Sequence, residues 1–240
     1  MVSAAAAASI RRDWPELLKV VATAGQHILN ADSSVEDIIG IDDKRRAADE
    51  ILLLLEEMLQ IAHPGQRDAV MLMVADVHQQ LSIILLLESE HLDPDDDDES
   101  SSSSDHHQQQ LLVAALQHAQ TSLQITLPIA QRSGQHLLMA PLSIAATCLS
   151  GNRQYSEAAA LFERALQLIE ATLGPSHDAT APVLVNFGIS LYESGDCGKS
   201  LEVLSRAAEI ALQANMSQQS VIFKRIAHYS NTATLCEMKK

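Results

Sequence analysis

The chain has 240 residues and a mass of 26.0 kDa, and 47% of it is hydrophobic, so it can bury a sizeable core and is no disordered acidic polymer. Only 3% is aromatic, with 9 Gly and 7 Pro, which excludes the sandwiches, barrels and wound sheets that need aromatic and β-branched strands with Gly-rich turns; the helix formers Leu, Ala, Gln and Glu predict an all-α protein. The formal charge of −15 is uneven: Asp68 to Gln131 contains no Lys or Arg, residues 132–240 are neutral, and neither half has the basic face that binding a phosphate backbone requires, so no nucleic acid is expected as a partner.

Residues 1–13 form an Ala-rich N-terminus that is expected to be disordered. It lacks a secretory Leu/Ile core, and its two arginines only faintly suggest a transit peptide, since Asp13 and Glu16 follow at once. Residues 14–90 are expected to form helical repeats or a helical cap. Trp14–Leu29 has helical spacing, and Lys44–Ala62 is apolar on one side through Ile51, Leu54, Leu55, Met58 and Leu59. It stops at His63-Pro64-Gly65, a helix terminator. Asp68–Glu90 reads as a third helix, apolar nearly all round and so covered on more than one side. Asp76, His78, Gln79 and Gln80 interrupt its apolar stretch, and no membrane insertion is expected.

Within residues 91–109, positions 93–104 hold six acids and then five serines, which have nothing to bury, and the acids repel one another; a disordered loop is expected over 91–109. Within it, Ser102 has Asp105 three residues on, the spacing an acid-directed kinase reads. Asp105-His106-His107 has metal-ligating residue types, but a floppy loop lacks preorganised geometry, and no metal is expected. Helices resume at Gln110–Arg132, His136–Leu149, Tyr155–Leu173, Ala179–Ser194, Cys197–Asn215 and Ser217–Glu237, divided by a few residues of Gly, Ser, Asn and Pro. Such short links force antiparallel neighbours. Three widely spaced cysteines, Cys148, Cys197 and Cys236, are an odd number in apolar helical contexts. They read as small buried hydrophobes in a reducing compartment, and a cytoplasmic location is expected.

A repeat decides between bundle and solenoid. At an offset of 42, Tyr155 falls on Cys197, Ala158 on Ser200, Phe162 on Leu204, Ala165 on Ala207 and Leu168 on Ile210, the buried stripe of one helix, with small residues that admit a close neighbour. Residues 173–212 then run from Leu173-Gly174-Pro175 through His177, Asn186, Gly188 and Gly195 to a second helix with Ala near its middle. This pattern resembles the long tetratricopeptide repeats of kinesin light chains, most specifically over about Gln135–Leu212, with Cys197 where that family usually has Tyr. The resemblance implies a helical-hairpin solenoid, a right-handed superhelix over residues 110–240 with Ser217–Glu237 as its capping helix. Local chemistry agrees: Gly-Pro ends one helix, Asp178 can cap the next, and Pro182 fits a first turn.

Stacked hairpins present a concave groove. In the resembling family an asparagine at the place of Asn186 faces that groove and bonds the backbone of a bound peptide; the matching positions in neighbouring repeats here are Ile144 and His228. The groove candidates are Asn186, Ser190, Ser143, Thr147 and Arg153, from inner-helix positions or their edge. The chain has no phosphate-cradling loop, nucleophile elbow or zincin motif, and His177 beside Asp178 is explained as helix-start structure. No catalytic residue and no cofactor is expected. The expected function is a protein-binding scaffold or adaptor that takes a peptide or helical segment of a partner. Two alternatives stand beside it: a structural subunit of a larger complex, packed through the apolar helices of 44–90, and a co-chaperone-like module for an acidic tail. The latter needs a Lys/Arg cluster that helix 179–194 does not supply.

Overall fold

The computed structural model describes residues 41–90, 101–217 and 220–238. The Ala-rich terminus, the Trp14–Leu29 segment and the acidic run 91–100 lie outside the described residues. Among the described residues there is no strand, and eight α-helices follow one another: α1 (Ile41–Ile61), α2 (Pro64–Glu90), α3 (Ser101–Ser133), a 3₁₀ turn (Gln135–Leu138), α4 (Met139–Gly151), α5 (Tyr155–Leu173), α6 (Thr180–Glu193), α7 (Cys197–Gln213) and α8 (Val221–Glu237). The chain divides into two compact units between Ile129 and Ala130, inside α3 and next to Pro128.

In the first unit α1 and α2 form an antiparallel hairpin. Ala48, Ile51, Leu55 and Met58 of α1 recur every three or four residues and meet Val70, Val74, Val77 and Leu81 of α2, which do the same. The turn is only Ala62-His63, because Pro64 takes the first helical position of α2, where a missing N–H costs nothing; the Gln66 side chain accepts from the His63 amide at 3.3 Å. Arg45 and Glu88 pair at 3.2 Å where the hairpin's two ends come together. By length and composition α2 is able to cross a membrane, but 56% of its most apolar window is buried within the protein, as in a core helix.

Helix α3 begins at Ser101, so residues 101–109, expected as loop, are helical. The Gln108 side chain donates to the Ser89 carbonyl at the end of α2 (2.9 Å). Down to Ile129 this helix belongs with α1 and α2, not with the repeats that follow. The half-buried His78 of α2 and His118 of α3 face each other with Nδ1 atoms 2.9 Å apart, a bond one ring donates and the other accepts.

The second unit is an all-α solenoid of helical hairpins. Hairpins α4–α5 and α6–α7 stack, and α8 closes the end against α7 and α6. The 42-residue offset holds in the packing: Ala158, Phe162, Ala165, Leu168 and Ile169 of α5 are buried, as are their counterparts Ser200, Leu204, Ala207, Ile210 and Ala211 of α7. Phe162 stacks on Phe187 of α6 at 5.5 Å between centroids. Helices α6 and α7 make the most extensive contact of the unit, because Gly188 lets them approach: Ser200 Oγ donates to the Gly188 carbonyl at 2.7 Å.

The cysteine reading needs correction. Cys197 and Cys236 form a disulfide, with Cα atoms 6.3 Å apart, and only Cys148 is a free, buried thiol, pushed up to about 12 by desolvation. A separation of 39 residues looks prohibitive along the chain, but antiparallel packing puts the first residue of α7 beside the last turn of α8. With it falls the argument for a reducing compartment. Asp178 is likewise no conventional cap: its carboxylate accepts from the adjacent Ala179 amide (2.7 Å) and α6 starts at Thr180, with Pro182 in the first turn as expected.

Two outcomes follow from this packing. A Cβ on Gly188 would lie 2.7 Å from the fully buried Leu204 side chain, so Gly188→Ala should destabilise the fold by about 1–3 kcal/mol in denaturant unfolding. His78 and His118 both sit below the ordinary 6.5, each mainly through burial; next comes the charge of His118 for His78, while for His118 Asp49 pulls upward and Arg45 downward. Below pH 6.5 the unfolded chain therefore binds more protons than the folded one. The contribution of the pair is fully present above that pH and lost as pH falls through the lowered folded values. Denaturation midpoints measured from pH 7.5 to 5 should fall, and His118→Gln should flatten that slope.

Candidate functional site

The inner side of the second unit is set by which helices touch. The first helices of the hairpins, α4 and α6, contact each other, and α8 takes the next place against α6. The side chains that meet along this row form a ladder. Thr147 Oγ1 of α4 accepts from Asn186 Nδ2 at 3.3 Å, and Asn186 Oδ1 accepts from Arg225 Nη1 of α8 at 3.2 Å. The rungs are 39 residues apart, whereas equivalent positions are 42 apart, because facing side chains on adjacent helices come from different turns of the repeat.

Next to the ladder, toward the starts of α4 and α6, lies an apolar cleft of about 330 Å3. Ser143, Ile144 and Met139 line one wall, Ala179 and Val183 another, and Leu173 at the end of α5 a third. Ser143 and Thr147 are one turn apart on α4, as are Val183 and Asn186 (three residues apart) on α6, so the cleft leads into the ladder. The arrangement offers hydrogen-bond donors and acceptors beside an apolar trough. Among the described residues no three His, Cys, Asp or Glu side chains gather at one point, and His106 pairs with Gln110 on the exposed side of α3 (2.9 Å).

Three of the five expected groove residues fall here: Asn186 and Thr147 on the ladder, Ser143 in the cleft wall. Ser190 does not. It is 2% exposed, one turn beyond Asn186 on the side of α6 that faces the core, the place Cys148 holds one repeat earlier, and it reaches no groove. Arg153 is not on an inner helix either. It stands in the α4–α5 turn with φ 61°, where Gly195 stands in the α6–α7 turn with φ 88°. Both turns close alike: the Gln154 amide reaches the Leu149 carbonyl and the Asp196 amide the Leu191 carbonyl, each at 2.9 Å, a Schellman ending that wants a left-handed residue between. Arg225 was missed, since it lies outside the matched repeat; a search at 39 residues beyond Asn186 finds it.

These hairpins correspond to a named repeat. Residues 137–213 match the tetratricopeptide repeat family. The match covers α4 to α7, about the two hairpins that carry the cleft, and such repeats are as a rule protein-interaction modules rather than catalysts. No curated protein matches the chain.

Since Arg153 occupies a left-handed conformation that glycine adopts without steric cost, Arg153→Gly should raise stability by about 1 kcal/mol, read as a higher denaturation midpoint with unchanged slope.

Proposed function

We propose that this tetratricopeptide repeat segment is a non-enzymatic scaffold that holds a peptide or helical segment of a partner protein along the inner side of α4, α6 and α8. The observation that carries the reading is the apolar cleft running into the Thr147–Asn186–Arg225 ladder. Apolar side chains of a ligand fill the cleft, and the amide of Asn186 and the guanidinium of Arg225 are placed to exchange their mutual bond for bonds to the ligand's backbone or carboxylates. Arg225 adds to the inner side a cation that helix α6 itself lacks, which a carboxylate-bearing ligand would use.

A second reading keeps one specific support. Leu53 and Leu54 of α1 are 65% and 54% exposed, adjacent large side chains beside the apolar core of the first unit, and a structural subunit would bury them against another chain.

The two readings separate in one experiment. Ala140 is an exposed residue of the cleft, and arginine there fills the trough without touching the core. Capture of partners from lysate with the 240-residue chain, beside Ala140→Arg and Leu53→Glu/Leu54→Glu, should show loss of about tenfold or more with Ala140→Arg alone. Loss with the leucine pair and retention with Ala140→Arg would overturn the groove reading.

A further inference from the structure

Helix α8 has two anchors of different kinds. Its apolar hold is small: of its seventeen residues only Ile226 and Ala233 are buried, and Val221 and Leu235 are more than half exposed. Its other hold is covalent, the bridge from Cys236 in its last turn to Cys197, the first residue of α7. The same helix supplies Arg225 to Asn186, and Tyr229, whose ring packs edge-on against Tyr192 of α6 at 5.7 Å. A weakly buried helix tied by one bond, and bearing the last rung of the polar ladder, is a segment whose docking that bond can govern.

We propose that the Cys197–Cys236 disulfide is a redox latch: oxidised, it holds α8 against α6 and α7 with Arg225 on Asn186, and reduced by a dithiol it lets α8 leave while hairpins α4–α5 and α6–α7 stay folded. The two hairpins keep their own core, including Phe162, Leu184 and Leu204, none of which comes from α8. The reaction is an ordinary exchange. A thiolate of the reductant attacks the sulfur of Cys236, on the half-buried side of the bridge, and the S–S bond breaks. The electron pair leaves on the sulfur of Cys197, which is 1% exposed and sits at the start of α7, where the helix end favours negative charge. The second thiol of the reductant resolves the mixed disulfide. The reductant ends as its own disulfide, and the two protons it gives up end on the two new cysteine thiols. Cys148, fully buried in α4, takes no part.

The test is amide hydrogen exchange on the 240-residue chain, oxidised with glutathione disulfide or reduced with dithiothreitol, with thiols counted in denaturant under each condition. One thiol is expected in the oxidised protein and three in the reduced. Exchange over residues 221–238 should speed up about tenfold or more on reduction, with residues 139–193 unchanged. Cys236→Ser should show the fast exchange under both conditions and thereby separate loss of the bond from any other effect of the reductant. Three thiols in the glutathione-treated protein, unchanged exchange at 221–238 after reduction, or loss of protection throughout 139–213 would each overturn the latch, the last by making the bridge a plain staple of the whole unit. The readout needs no partner, so it stands apart from the groove reading.

Discussion

The close approach of α6 and α7 at Gly188 is the constraint on which the second unit depends. With no side chain there, Leu204 and Ser200 of α7 come against the backbone of α6, and Ser200 closes the gap with a hydrogen bond to the Gly188 carbonyl. That contact fixes the pitch of the hairpin. One repeat earlier the equivalent positions are Ala146, Ala158 and Phe162, all fully buried, so both hairpins combine small residues with one large one at these places. A hairpin of this kind cannot bury its apolar face alone, and stacking is the outcome.

Stacking has a second consequence on the inner side. Once α4 and α6 lie side by side and α8 takes the next place, polar side chains link them: Thr147 and Asn186 across the first gap and the longer Arg225 to Asn186 across the second, without a charge pair. One turn away the facing residues are Ile144, Ser143 and Val183, too small to fill the space between helices, and a cleft remains. Polar ladder and cleft are thus two results of one spacing. The cleft needs no further device than the mismatch between helix separation and side-chain length.

The first unit reaches stability by a different route. Its hairpin carries a regular apolar seam against which Ile125 of α3 packs, and α3 adds polar links to α2: the His78–His118 bond and the reach of Gln108 to the Ser89 carbonyl. Polar links of this kind cost little when satisfied and much when protonation breaks them, which is why the histidines, deprived of water, resist taking up protons.

Helix identity and the 42-residue repeat were legible in the sequence because both are local or periodic: burial at 158, 162, 165 and 168 recurs at 200, 204, 207 and 210, and Pro64 and Pro182 mark helix starts by their own chemistry. Asn186 and Thr147 meet on the ladder and Ser143 lines the cleft, positions that follow from that period. Ser190 is buried instead, since whether a residue one turn on faces outward or toward the core depends on where the partner helix lies. Arg225 and the Cys197–Cys236 bond were hidden for the same reason: each joins residues 39 apart, a distance that helix packing shortens to contact, between stacked first helices for Arg225 and between antiparallel neighbours for the cysteines. Sequence by itself determined the helices, their order and their stacking mode, because hydrophobic period and turn chemistry act within one repeat. Tertiary structure alone decided which polar side chains meet, where the cleft opens and which cysteines pair, because those depend on the separation between helices, which no single segment encodes.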